Sequence, residues 1–159
     1  PLYSSAASDV YKRQVYVTDL SVQGCDACES CKTHAGECAI KDDMTPLYED
    51  LINSDILVIG TPVYWWGPSA QIKAVIDRLY AFANAPGRPP LAGKRAVVVA
   101  ALEDEPKQAV HLLGMLDKSF DFLGMKFVGK VVAQAGPKGA VKKNKKAMME
   151  AYELGRSLG

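Results

Sequence analysis

Two hydrophobic rhythms alternate along this chain from about residue 15 onward. The segment VYVTDL (15–20) is a short β-branched run that predicts a strand. DILVIGTPV (55–63) and RAVVVAAL (95–102) are almost continuously apolar, the pattern of strands covered on both faces in a parallel sheet. KFVGKVVAQAG (126–136) predicts a further strand. Between these runs the apolar spacing becomes helical. Leu47, Tyr48, Leu51 and Ile52 share one face, with Asp42, Asp43 or Thr45 as cap and Pro46 in the first turn. Ser69 is placed to cap a helix carrying Ile72, Val75, Ile76, Leu79 and Phe82. A longer helix over 106–123 turns Val110, Leu113, Leu116, Phe120 and Leu123 inward and stops at Gly124. A last helix is predicted over 141–158, and the Pro- and Gly-rich stretch 84–93 is a loop. Strands and helices in strict alternation predict an α/β fold around a parallel sheet.

Composition narrows the function classes. The 159 residues suit one domain, and 48% hydrophobic content excludes a disordered chain. A formal charge of +1 argues against a general nucleic-acid binder. VKKNKK (141–146) is a short basic run of the kind that forms a solvated helix face, and His34 and His111 read as solvated residues rather than ligands. No apolar run approaches the ~18 residues of a membrane span, and no charged-then-apolar leader opens the chain. The expected setting is therefore the reducing cytoplasm, where clustered cysteines bind metal or do redox chemistry more often than they form disulfides.

The chain opens with Pro1, and residues 4–14 read SSAASDVYKRQ. Codon by codon, that string is the translation of a sequencing-library adaptor with its transposase end. Residues 1–14 are accordingly expected to be non-native, with a single native domain over 15–159.

Two stretches carry chemistry. All four cysteines, Cys25, Cys28, Cys31 and Cys38, fall in one loop (21–43) with Cys-x2-Cys-x2-Cys-x6-Cys spacing. Two-residue gaps let successive thiolates converge on one centre. The triple run suits a cubane iron–sulfur cluster; zinc and metal-free reduced thiols are the other readings. The second stretch is TPVYWWGPSAQIKAVIDR (61–78). It follows a buried strand, and ligands of open α/β sheets bind outside the carboxyl ends of strands. Tyr64, Trp65 and Trp66 there offer flat faces to a planar ring; an aromatic plug or dimer contact is the plainer reading. Asp77 and Arg78 read as structural residues that pair or cap locally.

Together these stretches resemble the NADPH-dependent FMN reductase branch of the flavodoxin-like superfamily, and within it the iron–sulfur flavoproteins. The likeness rests on the cysteine loop, on Asp42, Asp43 and Met44 after it, and on Thr61, Pro62, Val63, Tyr64, Ser69, Ala70, Gln71, Lys73, Ile76, Asp77 and Arg78. It implies a flavodoxin-like three-layer sandwich with FMN across the carboxyl ends of the strands. The isoalloxazine would be flanked by Thr61, Pro62, Val63, Tyr64, Trp65, Trp66 and Gly67 on one side and by Ala101, Leu102 and Glu103 on the other. It also implies a 4Fe-4S cluster on Cys25, Cys28, Cys31 and Cys38. Relatives have a Gly-rich stretch where this chain has LEDEP, so acidic Glu103 and Asp104 depart from the pattern.

The family's opening strand and phosphate loop, of the type GSPRxxGNT, have no counterpart in this sequence. The first strand and the phosphate half of the site are therefore expected to be missing, and FMN binding by this chain to be weak. The implied function is that of an FMN-dependent oxidoreductase and electron-transfer flavoprotein. The alternatives are a cluster-free NAD(P)H-dependent FMN, quinone or azo reductase, or a non-enzymatic metal-binding or electron-carrier module. NAD(P)H is the implied donor, with small-molecule or protein redox partners, no nucleic acid, no membrane, and a homodimer or homotetramer. The flavin carries the chemistry, so no catalytic side chain is assigned.

Overall fold

The computed structural model describes residues 12–83 and 90–159. In chain order the elements are α1 (Ser30–Thr33), α2 (Met44–Asn53), β1 (Ile56–Pro62), α3 (Ala70–Arg78), β2 (Arg95–Leu102), α4 (Val110–Phe122), β3 (Lys126–Gln134) and α5 (Lys145–Leu158). The strands form one parallel sheet in the order β1-β2-β3. Central β2 is the most apolar strand. Its residues Ala96, Val97, Val98, Val99 and Ala100 are all buried, as a strand covered on both faces requires.

Alternation along the strands divides the core in two. Ile59, Ala96, Val98 and Ala100 pack with Met44 and Leu47 of α2, Ile76 of α3, and Leu112, Leu116 and Phe120 of α4. Val131 and Ala133 of β3 pack with Ala147 and Ala151 of α5. Helix α5 lies tight against Gly129, where an added Cβ would sit 2.4 Å from Leu154 Cδ1. Gly124, with φ +71°, turns the chain from α4 into β3, as the sequence predicts. Ser69 caps α3 through its hydroxyl, which accepts from Ile72 N at 3.4 Å.

Several sequence-based expectations need correction. The strand predicted over 15–20 is a 3-10 turn, Val17–Asp19, closed by Asp19 N to Tyr16 O and Leu20 N to Val17 O. A strand must exchange its N–H and C=O groups with a neighbour, and among the described residues none lies beside it. Val15, Leu20 and Val22 still pack on the larger core, so the hydrophobic pattern held while its backbone form did not. The 106–123 helix begins as a 3-10 segment, Pro106–Ala109. Val110 is exposed and Leu112 takes the inward place assigned to it. Ile52 is likewise exposed on α2. The last helix starts at Lys145, capped by Asn144, after a separate 3-10 turn, Ala140–Lys143. Most of the 84–93 loop and of the adaptor-like segment lies outside the described residues; Arg13, within the latter, pairs with Asp50 at 3.0 Å.

Candidate functional site: an aromatic turn and a cysteine cavity joined by α3

At its carboxyl end, β1 leads into a two-residue turn. Tyr64 and Gly67 exchange both backbone hydrogen bonds, each 2.9 Å. The residues between them, Trp65 and Trp66, have φ +50° and +60°. Two successive left-handed residues make a mirror-type turn, a place usually taken by Asn-Gly. Left-handed backbone costs an L-residue about 1–2 kcal/mol, so two tryptophans here are strained. The strain holds Trp65 91% exposed and Trp66 half-exposed, their rings 6.0 Å apart. Behind the turn, buried Thr61 Oγ1 accepts from Ser69 N at 3.0 Å and donates to Pro62 O at 2.8 Å.

The loop after β2 lies beside this turn. Val63 N donates to Ala101 O at 2.9 Å, so the predicted residues 61–67 and 101–103 do meet at one end of the sheet. Pro62, Val63 and Ala101 are half-buried there, Leu102 is a core residue, and Glu103 is exposed. Gln134 Nε2 donates to Glu103 O at 3.1 Å, and the Glu103 carboxylate lies against Gly136, bringing the loop after β3 to the same rim.

The cysteine loop is built differently. Ala27, Glu29, Ala35 and Gly36 all take left-handed backbone, folding the segment tightly on itself. All four cysteines are free thiols; Cys25 and Cys28 are exposed, Cys31 and Cys38 half-buried. All four line one small cavity together with Asp26, Glu29, Arg78, Tyr80 and Ala81. Asp26 accepts from Cys28 N at 3.2 Å, and its contact with Cys28 holds this carboxyl below the usual range. A hydrogen bond from the Ser30 backbone draws the Cys28 thiol down, but the neighbouring Asp26 outweighs it and pushes the thiol up.

Arg78, at the last position of α3, closes this cavity from behind. It is 1% exposed. Nη1 donates to Gln23 O (3.0 Å) and Asp42 Oδ2 (2.8 Å); Nη2 donates to Ile40 O (3.0 Å) and Asp42 Oδ1 (3.3 Å). Asp42 also accepts from Gln23 N and Met44 N. Burial works against both charges. The mutual hydrogen bonds prevail, raising the Arg78 pKa and lowering that of Asp42. Tyr48 donates to Arg78 O at 3.2 Å, and burial pushes its phenol up to about 12. Asp77 pairs locally with Lys73, as read from the sequence, whereas the local role read for Arg78 is corrected: it reaches 36 residues back to Asp42. A sequence signal existed. Position 78 is three beyond Val75 and four before Phe82, on the apolar stripe, where a charge needs a partner.

The open parallel sheet, with a planar-ring surface at its carboxyl rim and a thiol cavity behind, places the chain among flavodoxin-like α/β folds. The chain belongs to the NADPH-dependent FMN reductase family, whose sequence pattern it matches over residues 5–138. It is 30% identical over 120 residues, 72% of this chain, to a putative NAD(P)H-dependent FMN-containing oxidoreductase, YwqN, of Bacillus subtilis. It is 50% identical over 64 residues, 40% of this chain, to an iron–sulfur flavoprotein of Archaeoglobus fulgidus. These matches span 66% and 32% of the two relatives' lengths, less than two thirds of each. Among solved structures, the Trp repressor binding protein of Bacillus subtilis superposes with TM-score 0.64 at 30% identity, covering 70% of this chain and 75% of that one. An FMN-dependent NADH-azoreductase of Bacillus anthracis, in complex with FMN, shares the fold with TM-score 0.63 at 19% identity, covering 91% of this chain and 80% of that one.

Among the described residues, no group of three or more His, Cys, Asp or Glu side chains is arranged to hold a single metal ion, and no helix is long and apolar enough to cross a membrane. A multi-iron cluster needs separated thiolates rather than one shared point, and four thiols around one cavity are such a donor set. A second feature also fits: Arg78, which lines that cavity, keeps its Nε buried without a hydrogen-bond partner.

Proposed function

We propose that this chain is the redox portion of an FMN-dependent oxidoreductase of the iron–sulfur flavoprotein type. One observation carries the reading. Helix α3 borders the strained tryptophan turn at its capped end and closes the four-cysteine cavity at its other end. Its nine residues span about 13 Å, so one rigid element fixes the two candidate cofactor places relative to each other.

In this reading Tyr64, Trp65 and Trp66 stack on the flavin ring, Thr61 and Ser69 fix the turn that presents them, and the backbone near Ala101 and Glu103 borders the ring's other edge. Cys25, Cys28, Cys31 and Cys38 hold a 4Fe-4S cluster. Bound FMN supplies two-electron chemistry with a nicotinamide and one-electron chemistry with other partners. The protein positions the ring and excludes water from its stacked face. Donors and acceptors are small molecules, NAD(P)H foremost, or redox proteins. The assembly is a homodimer or homotetramer, a reading supported by exposed Val110 and Phe122 on α4.

The chain's only two tryptophans are Trp65 and Trp66, which gives a clean test. Adding FMN should quench their fluorescence. The described residues provide ring contacts but no glycine- and serine-rich phosphate cradle, so the expected Kd is on the order of micromolar or weaker, and riboflavin should bind about as well as FMN. No quenching at any flavin concentration contradicts the flavin reading. Submicromolar FMN binding with a strong preference over riboflavin contradicts the ring-only site.

A second reading, a cluster-free NAD(P)H-dependent FMN, quinone or azo reductase, is favoured by one observation: the cysteine cavity has a volume of only about 20 Å³, room for roughly one water. Iron uptake separates the two.

A further inference from the structure

Arg78 carries more N–H groups than its visible partners use. A guanidinium has five N–H donors in a fixed fork. Nη1 and Nη2 are committed to Asp42, Gln23 O and Ile40 O. Nε–H is buried and unpartnered, on a residue that lines the four-thiol cavity. A buried donor without an acceptor costs on the order of 1–3 kcal/mol. The fork cannot turn away from the cavity without giving up the Asp42 pair, which is itself almost fully buried. The side chain is therefore fixed at the wall of the four-thiol cavity with one buried donor unspent. Cys38 is the thiol within electrostatic reach of both Arg78 and Tyr48.

We propose that Arg78 is a positioning and tuning residue whose Nε–H donates a hydrogen bond to a sulfur of the group seated in the cysteine cavity. The inference rests on the cluster reading above. Reduction adds one negative charge to such a site. A fixed cationic donor therefore favours the reduced form and raises the potential, since hydrogen bonds to sulfur are among the factors that set it. A role confined to folding would hold the loop together without moving the potential.

The test is a dye-mediated redox titration of the 159-residue chain, reconstituted anaerobically with iron and sulfide and followed by electron paramagnetic resonance. In Arg78→Lys the ammonium's three donors can serve Asp42, Gln23 O and Ile40 O, while the Nε–H is gone. The expected result is unchanged iron content with the reduced-to-oxidised ratio at fixed poise lowered about tenfold, equivalent to about 59 mV for one electron. Asp43→Ala loosens the same loop by removing its bond to Ser21 N, leaves the Asp42 pair and the Nε–H in place, and should leave the ratio near wild type. An Arg78→Lys ratio equal to wild type overturns the inference and leaves the cluster reading standing. So does an equal shift in Asp43→Ala, which would mark mere loosening of the loop. A wild-type chain that takes up no iron or sulfide overturns both. Should Arg78→Lys fail to load, the wild type decides: its 15N-labelled Arg78 Nε–H resonance shifts on loading if the bond exists, and an unshifted resonance overturns the inference.

Discussion

The cysteine loop and the tryptophan turn both depend on left-handed backbone, and they handle it in opposite ways. The loop's left-handed residues, Ala27, Glu29, Ala35 and Gly36, are small or polar, and the segment is tied down by long-range bonds. Ser21 N donates to Asp43, Gln23 N to Asp42, and Arg78 gathers Gln23 O, Ile40 O and Asp42 from behind. The turn places two of the bulkiest residues in left-handed geometry, and its own closure is two backbone bonds between Tyr64 and Gly67. Its aromatic surface stands in solvent. The loop is thus a preorganised chamber. The turn stores strain to display an apolar face, which is the behaviour expected of a surface awaiting a flat ligand.

The largest effect should come from cutting the loop's staple. Asp42→Ala leaves Arg78 buried without its counter-charge and should cost about 3–5 kcal/mol, read as a lower urea midpoint. The same pair gives the loop an acid limit. The Asp42 carboxyl is held below its ordinary value in the folded chain, so the stability it adds is complete above the unfolded carboxylate pKa. That stability drains away as pH falls through the folded value. Urea midpoints measured from about pH 6 down to about pH 3 should fall in the wild type, and Asp42→Asn should lack that component of the fall. An acid profile identical in both proteins would show that the pair does not organise the loop.

The turn should respond in the opposite sense. Replacing Trp65 by Asn and Trp66 by Gly gives the sequence this geometry prefers and should raise stability by about 1–3 kcal/mol. The same change should weaken flavin binding roughly tenfold through lost stacking. A double variant that is both stabilised and fully flavin-competent would separate the strain from function. Thr61→Val removes both bonds that the hydroxyl makes behind the turn and should cost about 1–3 kcal/mol, with a modest loss of flavin affinity. Lys73→Ala breaks only the exposed pair with Asp77 and should change stability by about 0.3–0.5 kcal/mol at most, leaving flavin binding unchanged.

How far the sequence spoke for itself differs between elements in the same physical way. Central β2 was legible because a strand buried on both faces needs an unbroken apolar run, and 95–102 is one. The Ser69 cap and the Gly124 stop were legible because local chemistry determines them. The 15–20 segment was misread because β-branched composition records a preference, while a strand also requires a neighbour. The aromatic rim was visible from its position after β1, but the paired positive φ at Trp65 and Trp66 was not, since nothing in their chemistry favours it. Arg78 was read as a structural residue, but with a local partner, for the converse reason. Its partner Asp42 lies 36 positions away, beyond any local pattern, and only its place on the α3 apolar stripe hinted at burial.

The claim that the cysteine loop is a built cluster site meets its most direct test in metal content. The chain, reconstituted anaerobically with iron and sulfide and freed of excess reagent, should retain about four iron and about four acid-labile sulfide per chain, and Cys38→Ser should retain far less. Retention of a single iron or zinc, or of no metal by a folded chain, would contradict the account.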